Sequence, residues 1–170
     1  MAAIRERDLA AGEAALRQWG QMARTLASAD SQSSSTSSGS QSASAASGNG
    51  ENQLTLSNAT GTAARLAISP DLPRSVWAMA VRFSLFLLER KAPGPGVEVR
   101  VAPWAAVKIL DGPASDPHNL TPPDVIELDP DVWLRLACGI TTWDEEKTAG
   151  HISAVGERDD LSALLPLAAV

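Results

Sequence analysis

Along the chain the apolar positions change their period several times, and each change marks an element. Ile4, Leu9, Leu16, Trp19, Met22 and Leu26 recur among alanines, from Leu9 on at steps of seven, three, three and four residues, with Asp8, Glu13, Arg17 and Arg24 between them. That spacing predicts an amphipathic helix over residues 3–27. Alanine fills many of its positions, so the stripe is thin and the helix has to dock on something to persist. From Ser28 to Gly50 about half the residues are serine, with glycine, glutamine and alanine among the rest. Such a stretch cannot offset the entropy of ordering its backbone. Residues 51–69 recover Leu54, Leu56, Leu66 and Ile68 without a sustained period. The whole of 28–69 therefore reads as a flexible linker with at most a short ordered piece.

The compact part is expected from Pro70. Asp71 and Pro73 are helix-start signals, and Val76, Trp77, Ala80, Phe83, Phe86, Leu87 and Leu88 cover a broad apolar face through Lys91. Pro93-Gly94-Pro95-Gly96 should end that helix as a turn. The period then becomes two. Val97, Val99 and Val101 alternate with Glu98 and Arg100, and Ala105, Val107 and Ile109 alternate around Lys108, which predicts two strands close enough to pair antiparallel. Residues 112–123, rich in proline and polar residues, read as a loop, and Val125 to Leu128 as a third strand. Asp129-Pro130 combines a capping side chain with a proline at the first helical position, and that helix runs to Gly139. Thr142-Trp143-Asp144-Glu145 fits a capping box for a short helix ended by Gly150. Ile152 to Val155 give a fourth strand, and Leu161 to Leu165 a last helix halted by Pro166.

Composition narrows the function classes. The single cysteine, Cys138, excludes an internal disulfide and a cysteine-based zinc site. Arg5, Glu6, Arg7 and Asp8 leave no apolar leader run, and Val76 to Leu88, broken by Arg82, is too short to span a bilayer. A cytoplasmic location is therefore expected, with no stable membrane insertion. A net charge of -6 argues against a nucleic-acid partner, although residues 63–110 are rich in arginine and the acids gather from 111 onward. The excess of arginine over lysine, with the alanine, suggests a GC-rich bacterial genome.

Enzyme chemistry finds little support. His118, His151 and Asp116 lack the spacing of a zinc site, so no metal and no cofactor are expected. Cys138 falls at a helix C-terminus, where the dipole disfavours a thiolate. Glu127 and Asp129 lie two apart and would share a strand face, but capping already accounts for Asp129. The Pro-Gly run lacks the lysine and following helix of a phosphate loop. Asn58-Ala59-Thr60 and Asn119-Leu120-Thr121 fit glycosylation acceptors that a cytoplasmic chain would never use.

Several punctuation marks fall in a familiar order: Val97 to Val101 followed by Pro103-Trp104, then Thr121-Pro122-Pro123, Asp129-Pro130 to Gly139, Thr142-Trp143, Gly150 to Gly156, and Leu161 to Pro166. Over about residues 70–167 this order resembles the bacterial sterol-carrier orthologue family of actinobacterial type, a branch of the sterol carrier protein 2-like domains. Trp104 stands where a phenylalanine is more usual, Ala102 replaces a common proline, and the serine-rich tether looks inserted. The resemblance implies an α/β fold of the α+β type, with a mixed, mostly antiparallel sheet of four to five strands and helices on one face. Together with the pattern and composition ahead of it, this divides the chain into an N-terminal helix (1–27), the linker (28–69) and a sterol-carrier-like domain (70–170). The resemblance also implies an apolar tunnel that shelters fatty-acyl or sterol-like molecules and does no catalysis. The candidate lining is Phe83, Leu87, Val99, Trp104, Val107, Ile109, Trp133 and Leu136, all of which could equally be ordinary core. The leading expectation is binding or transfer of a lipid-like ligand, with the N-terminal helix on its tether as a lid or, despite its mixed charges, a membrane contact. The alternative is an accessory module that binds a protein partner and has no ligand of its own.

Overall fold

Alternation along the central strands decides the architecture. The computed structural model describes residues 4–33, 59–112 and 124–168. Helix α1 (Leu9–Ser33) follows a 3-10 turn at Glu6–Asp8. Then come a short helix α2 over residues 59–66, helix α3 (Arg74–Lys91), and strands β1 (Pro93–Val101), β2 (Ala105–Ile109) and β3 (Asp124–Leu128). Helices α4 (Pro130–Ala137) and α5 (Trp143–Thr148), strand β4 (Ile152–Val155) and a 3-10 turn at Ser162–Leu164 complete it.

The sheet is mixed, in the order β2-β1-β3-β4. β1 runs antiparallel to β2 and parallel to β3, while β3 and β4 are antiparallel. Register sets rows across the strands. Val107, Val99, Ile126 and Ala154 form one row, and Ala105, Val101, Leu128 and Ile152 the next. Both rows face the helices, because alternate side chains of a strand point the same way. Each fully buried aliphatic side chain in them contributes roughly 1.5–3 kcal/mol. The opposite face carries Lys108, Glu98, Arg100, Glu127, Ser153 and Val155, and among the described residues helices cover only the valine side.

α3 buries Ala78, Ala80, Val81, Ser84, Leu85 and Leu88 against β1, β2, α1 and α4. α1 packs on α3 and α4, and it runs antiparallel to α3. Its Gly12 meets Phe83, and the Trp19 ring stands edge-on to Trp77 at 5.6 Å. The helix expected to swing on a tether is thus part of the core, with Leu16, Trp19 and Ala23 buried.

Several boundaries differ from expectation for identifiable reasons. α1 spans 9–33 where 3–27 was expected. The Thr25 and Ser28 hydroxyls each donate to the carbonyl four residues back, and the helix continues past them into the serine-rich stretch. Helix 59–66 is an ordered piece inside the expected linker, and the Arg65 guanidinium donates to Glu145. Pro93 to Gly96 are no free turn. They open β1 through a bulge in which Pro93 and Val97 both oppose Ile109. Gly94 is required there, at φ 153°, because a Cβ would fall 2.0 Å from the Leu110 carbonyl oxygen. Asp129 precedes α4 with extended backbone but makes no capping bond, so Pro130 alone presets that start. The expected last helix is a single 3-10 turn. The Thr121-Pro122-Pro123 segment and most of the 112–123 loop lie outside the described residues.

Candidate functional site

The layer between sheet and helices is where chain chemistry and packing meet. All eight expected lining residues belong to it, but not on equal terms. Val99 and Val107 face each other across β1 and β2, and Ile109 lies one row further on. Trp133 and Leu136 come down from α4, where Trp133 donates its indole N–H to Ser84 Oγ at 2.8 Å. The Ser84 hydroxyl in turn donates to the Val81 carbonyl. These five side chains are sealed in the core, and Trp133, Val99 and Ile109 keep 0% of their surface exposed. Phe83, Leu87 and Trp104 are half-buried at its margin. They do not share one wall. Phe83 meets α1 at Gly12, with Leu87 one turn further along α3, while Trp104 sits in the β1–β2 turn beneath Arg74 and Arg82.

Sequence reasoning missed the polar centre of the domain. Arg135 (1% exposed) and Glu146 (0%) form a buried ion pair, with Nε to Oε1 at 2.7 Å and Nη2 to Oε2 at 3.2 Å. Thr141 Oγ1 donates to Oε1 at 2.7 Å, and His151 Nδ1 lies 2.7 Å from Oε2. Arg135 Nη1 reaches the Ile68 carbonyl (3.0 Å) and Asp131 (2.9 Å). One guanidinium therefore ties α4, α5 and the segment ahead of α3 together. The only local signal was Asp131 four residues before Arg135. Burial alone would push the Glu146 carboxyl up, but the bonds from Arg135, His151 and Thr141 outweigh it and hold it below the ordinary carboxylate range. A carboxylate with both oxygens already engaged is a structural clamp and a poor proton shuttle.

A second pin closes the far end of the sheet. Asp124 accepts from the Glu157 amide (2.8 Å) and from Arg158 Nε (3.0 Å). Burial opposes ionisation of Asp124, yet these donors leave its carboxyl lowered. Cys138 caps α4, and burial pushes its thiol up to about 12, so it stays protonated at neutral pH. Among the described residues no group of three or more His, Cys, Asp or Glu could hold a metal ion. Asp116, His118, Asn58 and Asn119 lie outside the described residues. Glu127 sits exposed on the open sheet face, away from the helices. The indole N–H groups of Trp19 and Trp143 are buried without an acceptor.

An open mixed sheet, helices on one face and an apolar layer between them are the layout of a sterol-carrier-like domain. The family model described as bacterial SCP ortholog matches residues 73–167, more than half of the chain, and the protein belongs to that family. Membership points to lipid binding or transfer in general. No curated protein matches the chain. The matched stretch takes in α3 and the whole sheet, and leaves α1 and α2 ahead of it. Among the described residues no helix is long and apolar enough to cross a membrane.

Proposed function

We propose that the protein binds and transfers an apolar, lipid-like molecule, fatty-acyl or sterol-like, in the cytoplasm, without catalysing a reaction on it. Family membership over residues 73–167 carries this reading. The layer between sheet and helices supports it, since a ligand lodged there is held by burial alone. Each sheltered methylene contributes about 0.8 kcal/mol, so a long chain needs no charged partner. Phe83, Leu87, Val99, Trp104, Val107, Ile109, Trp133 and Leu136 are the proposed lining. Five of them are sealed in this conformation, so uptake requires the layers to part. Parting starts at the half-buried Phe83, Leu87 and Trp104.

The saturated Glu146 and the protonated Cys138 thiol favour a holder over an enzyme. Titration with fatty acids and sterols, read by tryptophan emission, tests the proposal. A saturable shift supports it, and a flat response to every lipid class contradicts it. Exposure of Met22 (40%) and Leu26 (42%) on α1 favours a second reading, an accessory module for a protein partner. A flat lipid titration, with a partner lost on Met22→Ser/Leu26→Ser, would select that reading.

A further inference from the structure

The protein is acidic overall, and among the described residues seven of its fourteen lysines and arginines pair with acids, Arg7 with Asp8 among them. Arg17 pairs with Glu13, Arg65 with Glu145, Arg100 with Glu98, Arg135 with Glu146, Arg158 with Asp124 and Lys147 with Asp159. Helix α3 gathers several of the others. Among the described residues, no carboxylate lies within ion-pair distance of Arg74, Arg82 or Arg90. Two of them lie over aromatic rings and the third on a backbone carbonyl. The Arg74 guanidinium sits 4.8 Å from the Trp104 ring centroid and that of Arg90 sits 5.6 Å from Phe86, while Arg82 Nε donates to the Trp104 carbonyl at 3.4 Å. Lys91, at the end of the helix, donates to the Leu164 carbonyl and stays exposed.

Position makes a surface of these contacts. Ser75, Met79, Arg82, Phe86 and Arg90 recur at helical steps on the flank of α3 opposite the buried Ser84 and Leu88. Met79 and Phe86 are half-buried, and Trp104 extends the flank onto the β1–β2 turn. Arg82 and Arg90 stand eight residues, about 12 Å, apart on this flank, and Arg74 reaches the Trp104 ring from the first turn of the helix. Glu89 is the one acid within α3.

We infer that this strip docks on an anionic lipid surface. Unmatched arginines meet the phosphates and carboxylates of the headgroups, and the aromatic rings sit at headgroup depth. A linear footprint of one helix flank and one turn lies flat on a bilayer, which presents negative groups everywhere. An acidic protein would need its carboxylates placed at the same spacing. As the place where a carrier would collect or discharge its cargo, the strip rests on the lipid-binding reading above.

The test uses the full chain and vesicles of phosphatidylcholine with about 30% phosphatidylserine, against phosphatidylcholine alone, read by flotation. Binding is expected only to the anionic vesicles, and it weakens as salt rises. Arg82→Gln/Arg90→Gln should lower the partition coefficient roughly 25-fold, at about 5-fold per charge. Arg82→Lys/Arg90→Lys should keep most of it, and melting curves should match the parent. Arg5→Gln/Arg17→Gln removes the same charge from the N-terminal region and should bind like the parent. No binding of the parent to anionic vesicles overturns the inference, as does an equal loss in both glutamine variants. Capture by polyglutamate with the vesicles ignored overturns it in favour of an acidic protein partner. Fatty-acid uptake without vesicles is read separately by tryptophan emission. Intact uptake with no vesicle binding removes the docking surface alone, and lost uptake with intact vesicle binding removes the carrier reading alone.

Discussion

Arg135 and Glu146 set the consequences at the scale of the residue. Removing one member of a buried pair leaves the other charge without compensation and typically costs about 3–5 kcal/mol. Glu146→Ala is therefore expected to lower unfolding free energy by that amount in urea denaturation. Arg135→Met/Glu146→Leu, which removes both charges together, should recover most of the loss. An equal loss in the double variant would show that shape, not charge, dominates there. The pair also predicts a pH dependence. The folded Glu146 carboxyl is held below its ordinary value, so its stabilisation is complete above the unfolded carboxylate range, about pH 4–5. It is lost as pH falls through the depressed folded value. Asp124, lowered in spite of burial by the Glu157 amide and Arg158, acts in the same direction. Stability should fall on acidification below about pH 5, and Glu146→Gln should flatten that slope in pH-resolved melting.

At the scale of the element, the α1–α3 contact is the most exposed to test. A Cβ on Gly12 would lie 2.7 Å from both Ile4 Cδ1 and Phe83 Cβ. Ile4 can yield at its tip, but Phe83 Cβ is fixed to its backbone. Gly12→Val should push α1 from α3, raising hydrogen exchange along α1 while β1 and β3 stay protected. Unchanged exchange in α1 would mean the helices can slide to fit. Thr142→Ala should cost about 0.5–2 kcal/mol, because it removes the side chain that caps α5 at the Glu145 amide. That box was legible in the sequence because its partners lie three residues apart. The valine alternation of β1 was legible for the same reason, since period two shows within five residues. Arg135 was not, because its partners stand at Glu146 and Ile68, and nothing local marks a charge that will be buried. The docking of α1 was half legible: its thin stripe demanded a partner, and only the tertiary fold names α3. Asp129 misled, since proline supplies by its fixed backbone what the carboxylate was expected to supply by hydrogen bonding.

For the whole molecule, the family-matched sheet and helices form one body with α1 laid across α3 and α4. The sealed layer and the flank with Arg82 and Arg90 lie on different sides of α3, the one proposed to hold a ligand and the other to meet a membrane. The eight expected lining residues lie in the layer between sheet and helices or at its margin. Which of them a ligand touches depends on how the layers part, and residue type does not encode that motion. The central claim is that this layer holds an apolar ligand. Native mass spectrometry of the protein purified from its own or a related host, followed by organic extraction, tests it most directly. A co-purifying lipid of defined mass, displaced by an added fatty acid or sterol, is the predicted result. A ligand-free mass that no lipid shifts would contradict it.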